Sequence, residues 1–232
     1  MSRVQQAGVT IRQHAYNGRG EQVRRYLGST NTYPVYDEAG HWPGDYDDTG
    51  APVQQALWMD DLPVGLLANG HQLHYVQPDH LGSPRVVIEA ARNVPVWTWD
   101  LKGEAFGSTA PQQDPDGDGI PFVLDMRFPG QRYDAASALN QNYFRDYDAS
   151  TGRYFQSDPI GLSGGVGTYA YVEGNPVSFI DPYGLEGLDP LWGAIYDMTG
   201  GWSPSQQTVD FGAGMGDTIL FGQGQRIRDW LD

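Results

Sequence analysis

The sequence predicts a mainly β protein of short antiparallel strands, and three observations carry that prediction. Glycine (31), proline (16), tyrosine (14) and tryptophan (7) are plentiful, a mixture that suits strands joined by tight turns better than long helices. A tyrosine-led turn unit recurs, as Tyr36-Asp37-Glu38-Ala39-Gly40 and as Tyr46-Asp47-Asp48-Thr49-Gly50. No segment before Leu185 carries the apolar periodicity of a helix of ordinary length.

The repeated unit has a simple physical basis. An aromatic residue ends a strand, Asp or Asn bonds the turn backbone, and Gly accepts a positive φ. Looser copies begin at Tyr16-Asn17-Gly18, Tyr133-Asp134 and Tyr147-Asp148, the last reaching Gly152. Repetition of one hairpin-forming unit predicts a sheet that grows by accretion. Further along, residues 72–77 alternate polar and apolar, while 85–90 and 94–100 are rich in β-branched and aromatic residues. Ala91-Arg92-Asn93 reads as the hairpin loop between the last two. Residues 109–119, dense in Pro, Asp, Gln and Gly, read as a break, after which strand character resumes over 121–133. Residues 141–156 read as two aromatic-rich strands around Asp148 to Gly152.

Beyond Leu185 the character changes to that of a short helical C-terminal segment. Residues 192–198 suit a short helix, and Phe211, Met215, Ile219, Ile227 and Trp230/Leu231 recur at roughly helical intervals. Glycines 212, 214, 216, 222 and 224 weaken that helix by about 1 kcal/mol each relative to Ala. Gly212-x-x-x-Gly216 permits close helix approach, as in membranes, but Asp210, Asp217, Arg226 and Arg228 argue against insertion.

Charge narrows the partners. A formal net charge of −15 repels phosphate backbones, so no nucleic-acid partner is expected. It would attract cations or a basic partner, although solubility is the simpler explanation. Without cysteine there is no disulfide, thiol nucleophile or thiolate–zinc site. The first twenty residues are polar, with Arg3, Arg12 and Arg19 and no apolar run, so no signal peptide is expected. No run of about 18 apolar residues is present, so no membrane span is expected either.

Two pentapeptides share one pattern, Asp158-Pro159-Ile160-Gly161-Leu162 and Asp181-Pro182-Tyr183-Gly184-Leu185. Asp, Pro and Gly stand where a type I turn favours them, so in isolation these are two stable turns. Their surroundings say more. The run YFRDYDASTGRYFQSDPIGLSGGVGTYAYVEGNPVSFIDPYGL from Tyr143 to Leu185 closely resembles the Rhs-repeat-associated core that ends the shell of Rhs, YD-repeat and insecticidal toxin-complex C proteins. The upstream elements Asp79-His80-Leu81-Gly82-Ser83-Pro84-Arg85, Trp97-x-Trp99 with Gly103 and Gly107, and Arg127-Phe128-Pro129-Gly130-Gln131-Arg132-Tyr133 also fit that pattern, in order.

The resemblance implies that YD-repeat antiparallel strands form part of an Rhs-type β-shell, a hollow cage around a C-terminal effector. It divides the chain into degenerate YD-repeat strands over 1–70, the repeat-associated core over 71–185, and a post-cleavage pre-toxin or plug segment over 186–232. It further implies an intramolecular aspartyl protease, with Asp158 and Asp181 as the acids and the cut between Leu185 and Glu186. Some members place Arg directly before the first acid, where this chain has Ser157; Arg153 is then the nearest candidate for cationic support. No cofactor is implied. The implied partners are the effector or the remainder of a shell, with a secretion spike or an immunity protein. The implied location is the bacterial cytoplasm before export by a dedicated apparatus, such as type VI secretion or a toxin complex. A cage needs many more strands than about 185 residues supply, so the resemblance also implies a piece of something larger.

The chemistry is sensible from below. Amide hydrolysis needs a base to activate water and an acid to protonate the leaving nitrogen. Two adjacent carboxylates cannot both ionise easily, so a shared proton would divide these roles. A bond tethered four residues beyond Asp181 needs no capture, and one turnover suffices. The alternative is a structural or interaction module of the cage without protease activity, and a third reading makes residues 186–232 a small toxin themselves.

Other signals are weaker. Asp114, Asp116 and Asp118, followed by Gly119 and with Asp125 at the twelfth position, copy the ligand order of a calcium loop, but Pro115 and Pro121 favour a solvated turn. His71 and His74 would face opposite sides of a strand, which argues against a metal site with His80. Ser163-Gly164-Gly165-Val166-Gly167 lacks the Lys-Ser/Thr ending of a phosphate loop and reads as a flexible connection.

Overall fold

A computed structural model describes residues 2–185 and 187. The predicted helical segment beyond Leu185, with its Gly212/Gly216 spacing, lies outside the described residues, as does Glu186. Fourteen strands and two short 3-10 turns make up the described part, which is antiparallel β as the composition predicts.

Strands β1 (Arg3–Gln6), β2 (Val9–Tyr16), β3 (Gln22–Leu27), β4 (Thr30–Val35), β5 (Gly44–Tyr46), β6 (Pro52–Met59), β7 (Leu62–Ala68), β8 (Gln72–Pro78), β9 (Pro84–Glu89) and β10 (Val94–Thr98) form one meander in sequence order. The sheet continues without interruption across residues 70 and 71, where the motif content changes, because β7 pairs with β8. Strands β11 (Arg132–Asp134), β12 (Leu139–Asn142), β13 (Arg145–Asp148) and β14 (Arg153–Tyr154) form a second meander.

The tyrosine-led units are turns between strands, and the two full copies are closed the same way. Asp37 N–H donates to His41 O (3.1 Å), Gly40 N–H donates to Asp37 O (3.2 Å), and His41 N–H donates to the Asp37 side chain (2.9 Å). The Asp47 turn repeats this arrangement with Ala51 and Gly50, and the Asp79 turn repeats it with Ser83 and Gly82. The Asp79-His80-Leu81-Gly82-Ser83 element is therefore a further copy of the unit, without its tyrosine.

Two predictions at the strand level are corrected. Residues 121–133 alternate as a strand should, with Phe122, Leu124, Met126 and Phe128 buried, yet β11 begins only at Arg132. Phe122 N–H goes to Gln113 O, and Arg127 N–H to Gln131 O within its own loop, so no continuous ladder forms. Residues 141–156 hold parts of three strands rather than two, because the chain turns at Tyr143 and Phe144. Tyr143 sits at φ 49° there, and neither central residue of the turn is the Gly, Asn or Asp that such a conformation favours.

The core joins the two sheets. Trp97, Trp99, Leu66 and Val87 from the first sheet side meet Leu124 and Phe128, and then Tyr147, Tyr154 and Tyr171. Ring centroids step from Trp99 to Phe128 (5.2 Å), to Tyr171 (5.7 Å) and to Tyr147 (4.6 Å). A buried charge lattice adds directionality: Asp45 on β5 accepts both Arg132 nitrogens (2.8 Å each) and also pairs with Arg25. Such a lattice contributes more to a unique arrangement than to raw stability, since desolvation offsets much of its attraction.

Candidate functional site

The two Asp-Pro-x-Gly-Leu segments fold as similar turns. In each, one carboxylate oxygen closes the turn: Ile160 N–H donates to Asp158 Oδ1 (2.9 Å), and Leu185 N–H donates to Asp181 Oδ1 (2.9 Å). That leaves both Oδ2 atoms available, and one guanidinium takes both. Arg145 Nη1 lies 2.9 Å from Asp158 Oδ2, and Arg145 Nη2 lies 3.2 Å from Asp181 Oδ2. All three residues are buried, with 7%, 2% and 3% exposure for Asp158, Asp181 and Arg145.

The expectation of a proton shared directly between the acids does not include the cation that joins them. Among the described contacts, the carboxylates meet through Arg145 rather than through each other. Arg153 is corrected: it is exposed on β14, whereas Arg145, at the start of β13, supplies the cation. Arg145 Nε donates to the Gly184 carbonyl, and its guanidinium lies 3.7 Å from the centre of the Tyr154 ring.

Tyr154 completes the surroundings of Asp181. Its hydroxyl donates to Asp181 Oδ2 (2.6 Å) and accepts from Asn142 Nδ2 (2.8 Å), which also donates to the Asp181 carbonyl (2.8 Å). Burial pushes the Asp181 carboxyl above its ordinary range, opposed by the Tyr154 hydroxyl, the Leu185 N–H and the Arg145 charge. Burial and the nearby Asp181 charge raise the Tyr154 hydroxyl well above its ordinary value, which keeps it a donor.

Close approach explains the site's glycines. A Cβ on Gly184 would strike the Asn142 carbonyl, and one on Gly130 would strike the Pro182 backbone. Gly164 is the most telling. A Cβ there would lie 2.6 Å from Asp158 Oδ2 and 2.7 Å from the Leu185 carbonyl oxygen. Those two oxygens are therefore no further apart than the sum of these distances. The 163–167 segment, read from sequence as a flexible connection, thus lines the site. Arg145, Tyr154, Asn142 and Gly164 were not given roles at the site by sequence reasoning, although all but Asn142 fall within the quoted run.

The predicted calcium loop is brought together only in part. Ligand atoms of Asp114, Asp116 and Asp118 lie within 4.8 Å of one another. Asp125 is absent from that group and bonds Arg25 instead (2.9 Å). Arg92 Nη1 already sits 2.8 Å from Asp116 and 3.2 Å from Asp118. The histidines are engaged separately, with His74 Nδ1 at Gln72 O and His80 Nε2 at Val177 O (3.0 Å each). Among the described residues, no helix is long and apolar enough to cross a membrane.

No family model matches the chain. Sequence relatives do. The chain is 37% identical over 119 residues to the double-stranded DNA deaminase toxin A of Burkholderia cenocepacia, covering 50% of this chain and 8% of that protein. It is 47% identical over 60 residues to the probable deoxyribonuclease RhsA of Dickeya dadantii, covering 26% of this chain and 4% of that protein. The chain thus spans a small part of these relatives' length. The crystal structure of TcdB2-TccC3-TEV shares its fold, with a TM-score of 0.50 at 20% identity over 75% of this chain and 9% of that one. Antiparallel turn-linked strands, an ordered set of motifs and these relatives agree: the chain belongs to the Rhs family of YD-repeat proteins.

Proposed function

We propose that this chain is the terminal segment of an Rhs shell that cuts its own backbone once, between Leu185 and Glu186. Residues 71–185 act as the repeat-associated core and 186–232 as the released segment. The observation that carries this reading is the convergence of Asp158, Asp181 and the Leu185 peptide around Arg145. In this scheme Asp158, which faces the Leu185 carbonyl, takes a proton from water as its oxygen attacks the carbonyl carbon. Asp181, whose acid form is favoured by burial, carries the proton that leaves with the Glu186 nitrogen. Water is consumed, the amide bond breaks, and a Leu185 carboxylate and a Glu186 amine result. Arg145 holds both acids and, through Gly184 O, the turn that presents the bond.

The shell would sequester a C-terminal effector in the cytoplasm until a dedicated apparatus exports it, with an immunity protein guarding the producer. Relatives described as toxins support this setting. A second reading, a cage module without protease activity, draws on Asp181 itself: its oxygens are already occupied by Tyr154, Leu185 and Arg145. Intact-mass measurement of freshly made protein decides between them. A product ending at Leu185, lost in Asp181→Asn and in Asp158→Asn, supports cleavage. Uncut chain after long incubation favours the module.

A further inference from the structure

We propose that Tyr143 and Tyr183, seated on the turn from Tyr36 to Gly40, are positioning residues that make cleavage depend on docking of the N-terminal sheet. The proposal rests on the cleavage reading and deepens it. It begins with a strained residue. Tyr143 has φ 49°, the left-handed conformation of a tight hairpin turn, which is costly for a side-chain-bearing residue. It stands two residues before Arg145, in the turn that aims Arg145 at both acids.

The surroundings that hold Tyr143 come from far upstream. Its hydroxyl donates to Glu21 Oε1 (3.2 Å), a buried carboxylate at the start of β3. Its ring meets Tyr36 edge-on at 5.7 Å and Tyr183 at 5.3 Å. Tyr183 lies inside the Asp181–Leu185 turn. Its hydroxyl donates to Ala39 O (2.9 Å), and its carbonyl accepts from Phe144 N–H (3.3 Å). Gly40, at φ +84°, leaves the space both rings use: a Cβ there would lie 2.7 Å from the Tyr143 hydroxyl and 3.1 Å from Tyr183 Cε1.

Glu21, Tyr36, Ala39 and Gly40 thus meet Tyr143 and Tyr183, the two residues that carry the first sheet's contacts toward Arg145 and Leu185. One ring fixes the backbone before Arg145; the other fixes the turn that carries Leu185. Shifts near 1 Å in such placements cost about a hundredfold in rate. A chain whose first sheet is not seated keeps both acids in its sequence but does not align them.

The test uses the full chain made by cell-free translation, with conversion to the product ending at Leu185 followed by mass spectrometry. Tyr183→Phe and Tyr143→Phe each slow first-order conversion about fivefold, equivalent to ~1 kcal/mol at about 1.4 kcal/mol per decade. Gly40→Ala slows it more. The double variant Gly40→Ala/Tyr143→Phe recovers rate over Gly40→Ala, because the clashing hydroxyl is gone. The midpoint of the rate–pH curve also moves in the slowed variants, since the burial and the Tyr154, Leu185 and Arg145 contacts that set the Asp181 carboxyl depend on where its turn sits. A purely structural role would lower melting temperature and leave that midpoint in place. Wild-type cleavage with unaltered rates and midpoints in the two Phe variants, which keep the fold, overturns the clasp alone. An uncut wild-type chain overturns the cleavage reading and the clasp together.

Discussion

Replacing Gly164 by alanine separates alignment of the cleavage centre from stability of the fold. The new methyl would lie 2.6 Å from Asp158 Oδ2 and 2.7 Å from the Leu185 carbonyl oxygen, against 3.4 Å or more for ordinary contact, so each must retreat by about 0.7–0.8 Å. Neither yields freely. Asp158 is held by Arg145 and by Ile160 N–H, and the Leu185 N–H is bonded to Asp181. A displacement near 1 Å at reacting atoms costs about a hundredfold in rate, which is about 2.7 kcal/mol of barrier. Overpacking of this kind costs about 1–3 kcal/mol of stability, a fraction of the roughly 5–15 kcal/mol that holds a domain together. The expected outcome is a folded chain, melting a few degrees lower, whose conversion to the product ending at Leu185 is at least tenfold slower. The assay is a mass-spectrometric time course beside a thermal melt. Cleavage at the wild-type rate would refute the reasoning, because it would mean the Leu185 carbonyl need not stay beside Asp158.

Two further outcomes follow from charges elsewhere. Burial raises the Asp45 carboxyl, but Arg132 and Arg25 outweigh it and hold its pKa at about 2, below the ordinary 3.8 of an aspartate. A depressed carboxyl contributes stability that is complete above about pH 4 and disappears as pH falls toward 2, about 2 kcal/mol here. Urea unfolding across that window should show the decline, and Asp45→Asn should flatten this part of it while weakening the fold at neutral pH. For the acidic loop, Arg92 already occupies the place a cation would take between Asp116 and Asp118. Millimolar calcium should therefore leave the melting temperature of the wild type unchanged, and Arg92→Gln should make it calcium-responsive.

What could be read from the sequence was what the chain writes locally. The turn units recur because Asp and Gly solve each hairpin alone, and the Asp37, Asp47 and Asp79 turns close with the same bonds. Asp158 and Asp181 were legible as a pair of acids through the resemblance that their surroundings carry, since each Asp-Pro-x-Gly-Leu segment taken alone reads only as a turn. Arg145 was not, and the reason is parity. Reading residues 141–156 as two strands left no turn at Tyr143 and Phe144, so no periodic argument aimed Arg145 at the acids; proximity in sequence favoured Arg153. The missing turn has Tyr143 and Phe144 at its centre, where no Gly, Asn or Asp signals it, and contacts from Glu21 and Tyr36 reach Tyr143. Residues 121–133 failed in the opposite sense. Their alternation was genuine and buried Phe122, Leu124, Met126 and Phe128, but periodicity reports which side chains face a core, not whether a neighbouring strand is there to pair.

The same distinction bears on how the two acids would divide the proposed cleavage. A pair that shares a proton directly must differ through its own repulsion. Here a guanidinium stands between them, so the difference has to come from what else each carboxyl touches. Asp181 is almost wholly buried, accepts the Tyr154 hydroxyl, and has its acid form favoured by desolvation. Asp158 meets Arg145 through Oδ2 and faces the Leu185 carbonyl across the space that Gly164 leaves open. The asymmetry is thus built by the second sheet, through Asn142, Tyr154 and Arg145, rather than by the two Asp-Pro turns, which are nearly alike. Two similar pentapeptides acquire different surroundings because the chain folds them onto opposite arms of one arginine.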